Sequence, residues 1–189
     1  MDRDVGQVLD ELLVVAARGG STPAFRQIVL RWTPRLRRHA GRLLFNNDLA
    51  ADVVQEVWLN IARDLPRLAD PARFGGWAYA IVTRRCIDAL RRRGRDRRLA
   101  AQATTETLTE APPLDARARL DSRLDLAAAI ARLPVDQRLM VSLHYGEGLS
   151  VEEIAQAHGL RSGTVKSRLH AAREHLRTLL EGEDDEQGR

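Results

Sequence analysis

The chain has 189 residues, 44% of them hydrophobic but only 4% aromatic, with a formal net charge of +4. That is room for one or two domains with aliphatic cores, in which the distribution of charge matters more than its sum. A single cysteine, Cys86, excludes an internal disulfide framework and an all-cysteine metal site, and no apolar run approaches the roughly 20 residues of a membrane span. The start, MDRDVGQVLDELL, is acidic and amphipathic and lacks a signal peptide's basic and apolar regions, so the expectation is a reduced, cytoplasmic protein without membrane insertion.

Residues 5–17 put Val5, Val8, Leu9, Leu12, Leu13 and Ala16 on one face and predict a first helix. Gly19-Gly20 ends it, and Thr22-Pro23 opens a second, with proline at a favourable first helical position. Its inner stripe is Phe25, Ile28, Val29, Trp32, Leu36, Ala40 and Leu43. Pro34 has no N–H to donate, which predicts a kink or break near Thr33. Asn46-Asn47-Asp48 is a turn and cap signal before LAADVVQEVWLNIARDL. There Val53, Val54, Val57, Trp58, Ile61 and Leu65 form the apolar side. Asp52, Gln55 and Glu56 lie together on the other side, and a solvated polar face accounts for them without any partner.

Pro66 to Arg73 reads as a loop. The next helix, FGGWAYAIVTRRCIDALRRRGRDRR, has a predicted buried stripe of Phe74, Trp77, Ala78, Ile81, Cys86, Ala89 and Leu90. Arg84, Arg91, Arg95 and Arg98 recur at spacings of 7, 4 and 3, which stacks them on one face. From 84 to 98 there are eight arginines against Asp88 and Asp96, a net of +6 in fifteen residues. Such density is an electrostatic footprint for nucleic acid, against the alternative of an over-charged but idle helix end. From Ala100 to Asp115 the helical period dissolves and the composition is that of a linker. Leu120, Leu124, Ala127, Ala128 and Ala131 restart a helix, and Pro134 opens another with Leu139, Met140 and Leu143 inward. Gly146 and Gly148 close it. After Leu180 the segment EGEDDEQGR, with five acids and one arginine, reads as a disordered tail. The pattern is all-α throughout, without strands or internal repeats.

Leu149–Arg173 carries the strongest local signal. Ser150 with Glu153 three residues on forms a capping box, and Ile154 and Ala155 make the inner side of a short helix that Gly159 can end in a left-handed conformation. Ser162 is placed to cap a second helix, buried through Val165, Leu169, Ala172 and Leu176. Two short helices around a glycine-containing turn are the sequence form of a helix-turn-helix. On the second helix Ser167, His170 and Glu174 point outward, flanked by Lys166, Arg173 and Arg177 and, on the other shoulder, by Arg168 and His175. Cations there meet phosphates, and Lys166, Ser167 and His170 are placed to reach base edges. The alternative is a helical hairpin with a solvated basic face.

Catalytic patterns are missing: no histidine–acid pair at helical zinc spacing, no glycine-rich phosphate loop with a lysine, and no partner for the Asp52/Glu56 carboxylates that would complete a di-metal site. No catalytic residue, metal or cofactor is expected.

Taken together, these pieces resemble a sigma factor of the sigma-70 family, of the compact extracytoplasmic-function type. DVVQEVWLNIAR is similar to the family's polymerase-docking helix, where Asp52, Gln55 and Glu56 match a D-x-x-Q-E signature. FGGWAYAIVTRRCIDALRRR is similar to its promoter −10 segment, and LPVDQRLMVSLHYGEGLSVEEIAQAHGL with GTVKSRL to its −35 reader. The resemblance implies two helical domains: residues 1–98 for core docking and −10 recognition, and the helix-turn-helix of 118–181 for −35 recognition, with a linker over 99–117 and an acidic disordered tail at 182–189. It turns the solvated face of Asp52, Gln55 and Glu56 into a docking surface for core RNA polymerase. It assigns Arg73, Trp77, Arg84, Arg85, Arg91 and Arg92 to −10 DNA, and Thr164, Lys166, Ser167, Arg168, His170 and Arg173 to −35 DNA. An unstacked base can enter a pocket while arginines track the phosphates of the melted strand. Three departures stand out: Arg84 occupies a position where the family often has Asn, Ala171 one where it commonly has Arg, and Arg161 with Ser162 replaces a usual Pro-acid pair, adding positive charge at the turn. The implied partners are core RNA polymerase and promoter DNA, with an anti-sigma factor as a family-level expectation and a monomer as the free state. The competing reading is a dimeric helix-turn-helix regulator on palindromic duplex, which leaves D-x-x-Q-E and the 84–98 arginines without a role.

Overall fold

A computed structural model describes residues 5–103 and 122–186. Eight α-helices make up the described chain, with no strand among the described residues: α1 (Val5–Arg18), α2 (Thr22–Leu44), α3 (Asn47–Asp64), α4 (Phe74–Ala103), α5 (Ser122–Arg132), α6 (Val135–Val141), α7 (Val151–His158) and α8 (Ser162–Glu186). Local chemistry sets the ends. The Ser21 hydroxyl accepts from Ala24 N at 3.3 Å with proline in the first turn of α2, and Asn46 Oδ1 accepts from Leu49 N at 2.7 Å to start α3. Between α2 and α3 the chain turns at Phe45, whose φ of 49° is left-handed and whose N–H bonds Gly41 O at 2.9 Å.

Helices α2, α3 and α4 form the first core. Ile28, Trp32, Leu36 and Leu43 of α2 meet Val53, Val57 and Ile61 of α3 and Phe74, Ala78, Val82 and Cys86 of α4, all buried. Trp32 is its centre, edge-on to Phe74 at 5.2 Å and to Tyr79 at 5.8 Å. Gly75 is required here, because a Cβ on it would stand 2.8 Å from Trp32 Cη2. α2 is not broken at Pro34 but runs through it as one helix. Immediately before that proline, Thr33 Oγ1 accepts the indole N–H of Trp58 of α3 at 2.9 Å.

α1 is present as expected, but turned. Val5, Val8, Leu9, Leu12 and Val15 are exposed, while Asp10 and Val14 are buried. The reason is electrostatic: Arg31 Nε donates to Asp10 Oδ1 at 2.7 Å, with Arg35 at 3.6 Å from the other oxygen. A carboxylate with two guanidinium partners can be buried, and anchoring it against α2 sets the rotation of α1.

In the second half the α5 stripe is also shifted. Ala129 and Leu133 are buried and Ala127 is exposed, so that Leu133 joins Val141 of α6 and Ala172 of α8 in a small core with Ile130 and Leu176 beside it. α6 passes into a π-helical turn over Ser142–Gly146, and Gly148, at φ 72°, turns the chain toward α7. α8 starts one residue earlier in effect than expected. The Arg161 carbonyl accepts from Thr164 and Val165, so Arg161 and not Ser162 holds the capping position. At the far end α8 continues to Glu186 where a disordered tail was expected from 182; Arg177 pairs with Glu174 and Glu181 across the preceding turns. α4 likewise runs to Ala103, into the span expected as linker, and the remainder of that linker lies outside the described residues.

The two halves share a buried interface. α7 packs on α4, and α6 and the π turn pack on α2, so Met140, Leu143, Leu149, Ile154, Val165 and Leu169 belong to the same buried cluster as Trp32 and Phe74.

Candidate nucleic-acid and polymerase interfaces

On α3, Asp52, Gln55 and Glu56 are exposed, opposite the buried Val53, Val54 and Val57. Helical spacing makes them one patch. Among the described residues none of the three side chains makes a hydrogen bond or ion pair, so the patch is presented unengaged.

On α4, Arg84, Arg91, Arg92, Arg93 and Arg95 are exposed and Arg85 half-buried; the side chain of Arg98 lies outside the description. At the start of the helix Arg73 is exposed, paired with Asp70 at 3.1 Å. Trp77 is half-buried, 6.0 Å from the Phe74 ring. Arg73, Gly76 and Trp77 line a pocket of about 260 Å³ whose far wall is Glu153, Gln156 and Ala157 of α7. With its amide turned to satisfy both groups, Gln156 accepts from Arg73 Nη1 at 2.6 Å. His158, at the end of α7, is held below the usual histidine range by burial and by the charge of Arg84.

In the helix-turn-helix both hydrogen bonds of the capping box form. Glu153 N donates to Ser150 Oγ at 3.1 Å and Ser150 N to Glu153 Oε2 at 2.8 Å. Gly159 takes the left-handed cap at φ 64°, and Val165, Leu169 and Ala172 are buried. Lys166, Ser167, His170 and Arg173 are exposed on α8; Thr164 and Arg168 are half-buried. Arg168 stands 3.5 Å from Asp136, and Ser167 Oγ donates to the Thr164 carbonyl at 3.0 Å.

Several buried polar residues escaped the sequence reading, His39, Tyr79 and Glu147 among them. His39 is fully buried, its Nδ1 3.0 Å from Ser142 Oγ and its Nε2 2.9 Å from Thr83 Oγ1. Burial first, and the Arg42 charge second, push its pKa down to about 3, so the ring is neutral at pH 7. Glu147, with a side chain only 4% exposed, accepts from Arg42 Nη1 at 2.5 Å and from the Tyr79 hydroxyl. Burial and the Glu147 carboxylate push the Tyr79 phenol upward. The only available sequence signal was negative: His39 and Tyr79 sit at inward phases of otherwise apolar helices.

An arginine-faced helix and a helix-turn-helix on one chain define a two-part, all-helical DNA-binding protein. Comparison with known proteins narrows the class. Sigma-70 region 2 matches residues 28–96 and Sigma-70 region 4 matches residues 123–176. The extracytoplasmic-function sigma factor SigE of Mycolicibacterium smegmatis is 37% identical over 160 residues, covering 84% of this chain and 62% of its own length. CarQ of Myxococcus xanthus is 33% identical over 163 residues, covering 86% of this chain and 92% of its own. Among solved structures, the sigma factor RpoE of Bartonella quintana, crystallised with the anti-sigma factor NepR, is similar at 28% identity with a TM-score of 0.66, over 83% of this chain and 96% of that one. CnrH in complex with the cytosolic domain of CnrY is similar at 25% identity with a TM-score of 0.67, over 92% and 98% of the two chains. The chain belongs to the sigma-70 family of RNA polymerase sigma factors, in its extracytoplasmic-function group. Its function is promoter-specific transcription initiation with core RNA polymerase. Among the described residues no helix is long and apolar enough to cross a membrane.

Proposed function

We propose that the chain divides this work among three surfaces. Asp52, Gln55 and Glu56 on α3 dock core RNA polymerase. The start of α4 and its arginines, Arg73, Trp77, Arg84, Arg85, Arg91 and Arg92, hold the melted −10 strand. Thr164, Lys166, Ser167, Arg168, His170 and Arg173 on α8 read the −35 duplex. The working units are residues 1–98 and 118–181. The chain catalyses nothing itself: binding energy spent on an unstacked strand is sufficient to hold a bubble open. It acts in the cytoplasm, and an anti-sigma factor is a fitting regulator, since two similar solved structures are complexes, one with an anti-sigma factor and one with the cytosolic domain of a second protein.

One observation carries the reading. The exposed, unengaged Asp52/Gln55/Glu56 patch sits on the same packed three-helix unit as the arginine face of α4. A regulator that binds duplex alone has no use for the first of these, whereas docking relies on complementary charge and hydrogen bonds across an interface.

The test is a pair of double variants in a core-polymerase pull-down beside a promoter titration. Gln55→Ala with Glu56→Arg should change stability by no more than about 0.5 kcal/mol, because both sites are exposed, yet lose core binding and transcription. Lys166→Ala with His170→Ala should keep core binding and lose −35 recognition. Losing one phosphate-contacting cation should also make the log–log salt dependence shallower by about one unit. Normal transcription by a folded Gln55/Glu56 variant would overturn the docking assignment.

A further inference from the structure

One stripe of the chain is used by none of the three proposed surfaces. Arg31, Arg35, Arg38 and Arg42 follow one another along α2 at spacings of 4, 3 and 4, which stacks them on one face. Their partners come from other elements: Arg31 and Arg35 meet Asp10 of α1 at 2.7 and 3.6 Å, and Arg42 meets Glu147 of the turn before α7. Arg38, between those pairs, is exposed and makes no ion pair among the described residues. Arg35 and Arg38 both line a pocket of about 420 Å³ bounded by α1, α2, the start of α4 and the turn before α7.

The lining sorts into groups already satisfied and groups that still offer a proton. Its carboxylates are engaged: Asp10 by two guanidiniums, Glu147 by Arg42 and the Tyr79 hydroxyl, Glu153 by the Ser150 N–H at 2.8 Å, and Glu11 as well. The donors are not. Arg35 lies over the Trp32 ring at 4.9 Å with only the 3.6 Å contact to Asp10, and the buried Trp32 Nε1 has no hydrogen-bond partner among the described residues. A buried N–H without an acceptor costs free energy that a ligand oxygen would recover. Burial and Glu147 push the Tyr79 phenol up while Arg35 and Arg38 pull against them, so both guanidinium charges act at the Tyr79 wall of the pocket. Phe74 and Leu149 supply apolar wall.

We propose that this pocket binds a small organic anion, a carboxylate or phosphate carried on a short apolar body, with Arg38 and Arg35 on the charged head and the Trp32 indole N–H on a second oxygen. Size agrees, since small-ligand sites run from about 300 to 1,000 Å³. Sign agrees too: the carboxylates of the lining are engaged and its unmet charged and buried groups are donors, so an amine finds no open carboxylate. A guanidinium is also well shaped for a carboxylate or phosphate, through two parallel N–H bonds. None of the residues assigned above to polymerase or DNA lines this pocket. The site makes the chain a receptor for a small acidic metabolite, in addition to its work on promoters.

Trp32 supplies its own reporter in the full-length chain. The three tryptophans, Trp32, Trp58 and Trp77, give three indole N–H signals in a proton–nitrogen correlation spectrum. Trp58→Phe and Trp77→Phe assign two of them, and the third is Trp32. The probes are phenyl phosphate and benzoate, with benzylamine as the charge control. Ligands of this size reach dissociation constants of about 1 mM. The Trp32 signal should shift saturably in that range with phenyl phosphate or benzoate, the Trp58 signal should stay in place, and benzylamine should move neither. The tighter of the two anions names the head group of the natural ligand. Arg38→Ala removes a side chain that holds no ion pair among the described residues, so the fold is kept while the dissociation constant rises by about tenfold, as for loss of a charged hydrogen bond.

A Trp32 signal that ignores both anions at about tenfold higher concentration would overturn the site and leave water as the acceptor of that N–H. An equal response to benzylamine would sink the anion selectivity, and the role of the arginines with it. Unchanged affinity in a folded Arg38→Ala variant would remove the head group from that end of the pocket and defeat the proposal in this form. Because Asp52, Gln55 and Glu56 and the DNA-facing residues take no part, each of these failures leaves the three-surface reading intact.

Discussion

Helices α4 and α8 both carry arginines and both follow a local signal legible in the chain, yet one is enclosed and the other is not. α8 is buried through Val165, Leu169 and Ala172, and on its other side Lys166, Ser167, His170 and Arg173 face water. α4 is buried on two sides. Phe74, Ala78, Val82 and Cys86 face the first core, while Gly76, Tyr79 and Thr83, at spacings of 3 and 4, take part in contacts with the second half. The second stripe is small and polar, as suits a close, partly hydrogen-bonded approach between two units, and not the filling of an oily core. A helix with one hydrophobic stripe announces its partner; a helix between two domains announces only the oilier of its two partners.

The comparison can be broken first by removing the anchor of each helix. Phe74→Ala should cost about 3–5 kcal/mol and Leu169→Ala about 2–5 kcal/mol. All three tryptophans, Trp32, Trp58 and Trp77, lie in the first half. If the halves share a core, Leu169→Ala lowers the midpoint seen by tryptophan fluorescence as well as that seen by circular dichroism, in one transition. A fluorescence midpoint that ignores Leu169→Ala would mean that α4 and α8 belong to independent units.

Acid sharpens the same point with a smaller effect. His39 bonds Thr83 of α4 and Ser142 of the second half, and its pKa falls from 6.5 to about 3 on burial. The unfolded chain therefore binds this proton at a higher pH than the folded one does. Its contribution is fully present above pH 6.5 and is lost as the pH falls toward about 3, at roughly 1.4 kcal/mol per pH unit. Urea denaturation at pH 7 and pH 5 should show that loss, and His39→Gln, which keeps a hydrogen-bonding group, should flatten the difference. A wild-type stability that does not respond to acid over this range would mean that His39 is hydrated.

Glycines give the smallest and most direct contrast. Gly75→Ala in α4 forces a methyl toward the Trp32 ring and should cost about 1–3 kcal/mol through overpacking. Gly163→Ala in α8 enters open space at a helical position and should stabilise by up to about 1 kcal/mol, as expected for helix propensity. Equal midpoints for the two variants in a thermal melt would erase the distinction between the enclosed and the free helix.

The sequence by itself determined most of the local structure. Caps and turn residues act within a few positions, so Ser150–Glu153, Gly159, Asn46 and Thr22-Pro23 marked helix ends that the structure reproduces. Stripes of large aliphatic residues fixed the buried faces of α2, α3 and α8 for the same reason: burial of that much apolar area outweighs any competing contact. Where the aliphatic stripe was less decisive, tertiary contacts decided. In α1, Val14 and Val15 add aliphatic positions beyond the expected face, and an ion pair from Asp10 to Arg31 chose which side went inward. In α5, rich in alanine, packing of Leu133 against Val141 and Ala172 set the phase.

The surfaces exposed to solvent, Asp52 with Gln55 and Glu56 and the outward side of α8, were legible because an amphipathic helix declares its polar face. What only the tertiary structure decided is that α7 lies on α4 and that His39, Tyr79 and Glu147 are buried. Those contacts join residues up to 105 positions apart, and a polar residue is buried only when its partners arrive with it. No local pattern encodes that arrival; it exists only once the two halves have met.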